Sequence, residues 1–239
     1  MTDKSDIAEL TRQAEDCLDK GNLAQARQLY AEICRAQDDD AHSWLMFGAI
    51  NGELGNVEVA QSVLERSIVL DSGNSEAHLV LAQVFRVKGQ FENALASASR
   101  AVSADADYVE GWLFIAALSG LLGNWPQAEE ASNKIITLAP ERTEGHINLG
   151  NVLVATGRAQ EAEQSYRKAL TLGDRAEAWF GLGTALSALE RHADAEPALS
   201  RALRLDSSNA DFRNALATCL DRQGRSAESA AVRAGSPPS

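Results

Sequence analysis

Residues Ala176-Glu177-Ala178-Trp179-Phe180-Gly181-Leu182-Gly183 carry an aromatic residue, a leucine and a small residue at their fourth, seventh and eighth places, and the apolar rhythm continues to Leu186. Spacings of three, four and seven define one face of a helix. The same pattern recurs upstream, with Gly150, Ala116, Ala82 and Gly48 standing where Gly183 stands. Glycines follow at Gly21, Gly55, Gly89, Gly123 and Gly157, each 34 residues after the last, and Ala26, Ala60, Ala94, Ala128 and Ala162 keep the same period. One residue is missing near Leu172-Gly173-Asp174-Arg175, after which the phase resumes at Ala195, 33 residues beyond Ala162. A period held this long marks a repeat architecture, in which each block buries its apolar face only by stacking on its neighbours.

The second half of a unit shows helical spacing again, as in Ala162, Tyr166, Ala169 and Leu172. Each unit therefore reads as a helix, a turn at the glycine and a second helix. The expected division is a lead over 1–6, six units (7–40, 41–74, 75–108, 109–142, 143–175 and 176–209), a seventh, capping unit over 210–234 and a flexible tail over 235–239. Positions eight and twenty of each unit, such as Gly48 with Ala60 or Gly183 with Ala195, are expected where the two helices cross, because a bulky side chain would overpack the contact. The turn glycine is expected in a left-handed conformation that closes the first helix. The sixth unit departs twice. Glu190 replaces the glycine, and Pro197 falls inside the second helix, predicting a kink or a late start.

The pattern W-x2-L-G-x2-Y…A-x3-F…P over 34 residues resembles the tetratricopeptide repeat, and the resemblance covers about residues 7–234. His78 and His146 replace the tryptophan, Leu10 does so in the first unit, and only Pro140 supplies the terminal proline. The resemblance implies an all-α solenoid of tandem helix-turn-helix units winding into a right-handed superhelix. It further implies that first helices line an inner groove that binds protein segments, through positions two, five, six and nine.

On that basis the candidate groove residues are Leu45, Leu79, Leu113, Ile147 and Phe180 at position five; Ala49, Gln83, Ala117, Asn151 and Thr184 at position nine; Glu76, Glu110, Glu144 and Glu177 at position two; and Asn148 at position six. Position five is either an apolar strip for a ligand or the packing surface between units. The carboxylates at position two, continued by Asp211, are explained by the helix macrodipole and also form an acidic rim suited to basic partner residues. Of two known groove chemistries of the family, one is absent and the other is weakly supported. The clamp for a terminal carboxylate needs Lys and Asn where this chain has Leu45/Ala49 and Leu79/Gln83, and basic residues where it has Glu76/Val80. An asparagine ladder at position six is represented by Asn148 alone, beside Met46, Val80, Phe114 and Gly181.

Composition agrees with a folded chain: 239 residues, 45% apolar and 23% charged, with aromatics at only 5%, so the core must rest on small aliphatic side chains. A net charge of −12 repels phosphate backbones and anionic lipid, which excludes nucleic acid and an acidic membrane surface as expected partners. The N-terminus lacks the pattern of a secretory signal, and the longest apolar stretch, 111–123, is short for a membrane span, so a cytoplasmic location is expected. Cys17, Cys34 and Cys219 form no CxxC pair and read as buried thiols of a reducing compartment. His42, His78, His146 and His192 show no metal-ligand spacing, and no P-loop, GxSxG or GxGxxG occurs, so neither a metal, a cofactor nor catalysis is expected. The leading reading is a non-enzymatic adaptor binding a protein segment with apolar and basic residues. The alternatives are the repeat region of a glycosyl-, sulfo- or methyltransferase, and a scaffold that self-associates.

Overall fold

The structure, a computed structural model, describes residues 4–235, which form fourteen α-helices and no strand. The helices come in pairs: α1 (Lys4–Asp19) with α2 (Leu23–Ala36), α3 (Ala41–Glu53) with α4 (Val57–Leu70), α5 (Ser75–Val87) with α6 (Phe91–Ala104), and α7 (Val109–Leu121) with α8 (Trp125–Leu138). They continue as α9 (Thr143–Ala155) with α10 (Ala159–Leu172), α11 (Ala176–Ala188) with α12 (His192–Leu205), and α13 (Ala210–Arg222) with the eight-residue α14 (Ser226–Arg233). Lys4–Asp6 of the expected lead belong to α1; of the expected tail, residues 236–239 lie outside the described residues. The chain divides into two compact units, Met1–Gly111 and Trp112–Ser239. In the first, α2 packs on α3 and α4 on α5; in the second, α8 packs on α9, α10 on α11 and α12 on α13, so within each unit one pair is covered by the next.

The turns explain the glycine period. Leu54 ends α3, and the amides of Gly55 and Asn56 bond back to the carbonyls of Gly52 and Asn51 at 3.1 and 2.8 Å, the paired closure that needs a left-handed residue at its centre. Gly55 has φ +76°. Glu190 makes the same closure, with its amide on Ser187 and that of Arg191 on Leu186, each at 3.0 Å, at φ +60°. The turn is thus kept without its glycine, at the cost of crowding a Cβ against the backbone. Pro197 does not delay its helix. α12 starts at His192 and runs through Pro197 to Leu205, and both Pro197 and Ala193, whose carbonyl loses its usual donor, are exposed.

The small residues mark close approaches. A Cβ on Gly48 would stand 2.5 Å from Leu64, and one on Gly183 2.5 Å from Leu199 and 3.4 Å from the Ala195 carbonyl. Ala60, Ala94, Ala128, Ala162 and Ala195 are fully buried. The core of the first unit gathers Ile7, Tyr30, Ile33 and Ile50, and that of the second Tyr166, Leu182, Leu186, Leu199 and Leu216.

At the fourth position two of the replacements, His78 and Arg213, preserve one interaction. Trp44 donates its indole N–H to the Asp38 carbonyl at 3.1 Å, and His78 Nε2 reaches the Ser72 carbonyl at 3.1 Å, so that nitrogen carries the proton. Arg213 donates to the Ser207 carbonyl at 2.7 Å. Each reaches six residues back, into the loop that enters its helix. In the sixth unit, where the loop is one residue shorter, Trp179 takes the Asp174 carboxylate instead, at 2.6 Å. In these four units the side chain at this place therefore ties the incoming loop to the first helix, and several N–H donors serve.

Candidate binding surfaces

In the first unit, Leu45 and Leu79 are buried, at 1% and 6% exposure, so they floor the first-helix face without lining it. Ala49 is half-buried, and Glu76, Gln83 and Glu110 are exposed. Between α3 and α5 lies a cleft of about 360 Å³ in which Ala49, Glu76 and Gln83 come together with Glu53 and the valines Val80 and Val84. Small residues of α3 open this space: Ala49, at position nine, and Gly52, three residues on, stand on one wall, and a Cβ on Gly52 would meet only Val84, at 3.7 Å. Glu53 and Glu76 have no ion-pair partner among the described residues. Arg86 also borders the cleft.

In the second unit, Ile147 is buried against Ala169 and Ala178, that is, between its own second helix and the next first helix. Leu113, Asn148 and Phe180 are half-buried; Ala117, Asn151 and Glu177 are exposed. Phe180 packs on Phe212 of α13, with ring centroids 4.8 Å apart at 32°. Thr184 is half-buried, bonds the Phe180 carbonyl at 2.9 Å, and borders a groove of about 620 Å³ with Ser187, His192, Asn214 and Arg222. Position five thus turns between solvent and the neighbouring helix, and burial claims most of its area. Position nine keeps the access.

The carboxylates at position two differ between units. Glu144 accepts from its own backbone amide and from Arg142 at 3.4 Å, which together hold its carboxyl below the usual range. Glu177 has Arg175 at 3.7 Å. These arginines, each two residues ahead, temper the acidic rim of the second unit, whereas Glu76 has no ion-pair partner among the described residues. Each of these acids stands in the first turn of its helix, where the macrodipole favours it.

One residue at this surface was not legible from the unit pattern. Tyr166, on α10, is 1% exposed and passes over Gly150 and Gly181, where added Cβ atoms would stand 2.6 and 2.2 Å from its ring. Its hydroxyl donates to Asn151 Oδ1 at 2.7 Å, fixing the amide that position nine presents, and burial raises its pKa. The signal was available only as a pair: the one tyrosine at that place among the last four units, facing the only glycine at position six.

Sequence profiles of the tetratricopeptide repeat match residues 45–109 and 145–208, together more than half of the chain. The chain belongs to the tetratricopeptide-repeat family. Solved structures with the same fold include a tetratricopeptide repeat protein from Parabacteroides merdae, at 16% identity and TM-score 0.74 over 95% of this chain and 90% of that one. YrrB, described as a TPR protein with an unusual peptide-binding site, matches at 17% identity and TM-score 0.66 over 77% of this chain and 95% of its own. MamA matches at 19% identity and TM-score 0.62, covering 79% and 94%. A comparison with curated protein sequences finds no significant match. Among the described residues of this TPR protein no helix is long and apolar enough to cross a membrane.

Proposed function

We propose that this TPR protein is a non-enzymatic adaptor that holds an extended segment of a partner protein on its first-helix face, with the α3/α5 cleft as the principal seat. The observation that carries this reading is the convergence of Ala49, Glu76 and Gln83 on one cleft with aliphatic walls. A cleft of this kind, apolar with a few polar groups at its edge, suits a peptide, and Gln83 offers both a donor and an acceptor to a peptide backbone. Unpaired Glu53 and Glu76 favour lysine or arginine beside a small aliphatic residue. The peptide-binding site ascribed to YrrB is in keeping with this use of the fold. The thiols offer no nucleophile: all three cysteines are buried, and burial pushes Cys34 up to about 12.

Selection of a random peptide display library on the intact protein tests the reading. Enrichment of sequences pairing Lys or Arg with Val, Ala or Leu is expected, with loss of the selected peptides by Glu76→Lys and Gln83→Arg at unchanged helical content. Recovery of no consensus, or of peptides indifferent to both substitutions, would remove the cleft from the binding site.

A further inference from the structure

On the second-helix face of the second unit, α10 and α12 leave between them a cleft of about 460 Å³ floored by Leu182 and Leu186 of α11. Five charged side chains line it, and four are arginines: Arg167, Arg191, Arg201 and Arg204, with Asp194. On a chain of net charge −12 this is a local reversal of sign. Three of the arginines are held in place. Arg201 pairs with Asp174; Arg191 reaches Glu163 and Asp194, each at 2.8 Å; Arg167 reaches Glu163 at 2.9 Å. A guanidinium has five N–H donors, so each keeps some for a ligand, and fixing it beforehand lowers the entropy lost on binding. Arg204 has no ion-pair partner among the described residues. Trp179, with its indole anchored on Asp174, and Pro197 add an apolar middle to the cleft.

We propose that this cleft binds an acidic segment of a partner protein, carboxylates at its two ends and an apolar side chain between. Arg201 and Arg204 lie one turn apart at one end of α12, and Arg191 lies ten residues before Arg201. At the helical rise that is roughly 15 Å, the span of about four or five residues of extended chain. Arginine clusters select carboxylates through charge-assisted hydrogen bonds, and the acidic first-helix face would reject the same segment. This surface is separate from the α3/α5 cleft and of opposite preference, so the two readings stand or fall apart.

Fluorescence anisotropy of the intact protein with a labelled peptide Glu-Glu-Ala-Leu-Phe-Ala-Glu-Glu provides the test, beside a counterpart with Lys for Glu and an oligothymidylate. Saturable binding of the glutamate peptide is expected, weakened by about tenfold or more in Arg204→Glu and in Arg167→Glu, and by rising salt. Arg204→Gln, which removes the charge without reversing it, should weaken it less. Glu76→Lys and Gln83→Arg should leave it unchanged. No saturable binding, equal binding of the lysine peptide, tighter binding of the oligothymidylate, or indifference to the Arg204 and Arg167 changes would each overturn the proposal.

Discussion

At Glu190 the left-handed turn, φ +60°, forces a Cβ against the backbone, while Gly157 and Gly224 make the same turn at φ +78° and +79° with no Cβ to crowd. Relief of that crowding outweighs the greater freedom of glycine in the unfolded chain, so Glu190→Gly should stabilise the protein by about 1 kcal/mol in urea unfolding. A loss of stability would show that the glutamate side chain contributes more than its backbone costs. Gly181 poses the opposite case. Its Cβ would stand 2.2 Å from the buried Tyr166 ring, which has nowhere to move, so Gly181→Ala should destabilise by about 1 to 3 kcal/mol. Combining it with Tyr166→Leu, the residue that Leu199 supplies at the same place in the next unit, should recover part of that loss, and strict additivity in the double-mutant cycle would refute the packing account.

Pro197 lies well inside α12, where it removes one backbone hydrogen bond and crowds the turn before it. Pro197→Ala restores the amide and should raise stability by about 1 to 3 kcal/mol, read from the midpoint of chemical unfolding; a lower midpoint would mean that the ring's stiffening of the unfolded chain dominates. Between elements, the residue after the turn does similar work three times in the second unit. Arg158 reaches Glu129 of the preceding second helix at 2.7 Å and Glu161 at 2.8 Å; Arg191 and Arg225 each likewise join a carboxylate of the preceding second helix to one in their own. The arginine side chains are partly exposed and each clamp is shared between two carboxylates, so single alanine substitutions should be nearly silent. The triple variant Arg158→Ala, Arg191→Ala, Arg225→Ala should melt lower at low salt and approach the unchanged protein near 1 M. Such clamps escape a reading of the sequence because charges 28 or 29 residues apart look like two ordinary solvated faces. The helix pairs do not escape it. Glycine at the turn and alanine at the crossing are demanded by backbone sterics and close packing, so they repeat with the fold itself. Position five was ambiguous for a physical reason too: helical periodicity says that Leu45 and Ile147 share an apolar face, but only the stacking of the next pair says how much of that face remains open.

For the molecule as a whole, acid titration draws these local terms into one observable. Glu144, Glu161, Asp174, Asp206, Asp221 and Glu228 of the second unit are held below their ordinary range, chiefly by hydrogen bonds from backbone amides, arginines and Ser208, and Glu9 of the first is lowered to about 2 by Arg12 and Gln13. A carboxyl lowered in the folded state binds fewer protons there than in the unfolded chain, so its contribution is complete above the unfolded value near 4 and is lost as pH falls through the folded one. His146 adds an earlier leg. Burial and then Lys168 lower its pKa below 6.5, so the unfolded chain takes up the proton first and stability declines as pH drops below about 6.5. Opposing both is the relief of self-repulsion as the charge of −12 is neutralised toward the isoelectric point near 4.8. That repulsion acts between dispersed charges and is screened over about 8 Å at physiological salt, whereas the arginine contacts, at hydrogen-bond distance, are not. In about 0.15 M salt the melting temperature should therefore fall slightly from pH 7 to 5.5 and steeply below about pH 4.5. His146→Trp, which places there the residue of Trp44 and Trp179, should abolish the first leg and leave the second. A melting temperature that climbs steadily from pH 7 to 4 would show instead that net repulsion, and not the network of paired carboxylates, governs the stability of this repeat array.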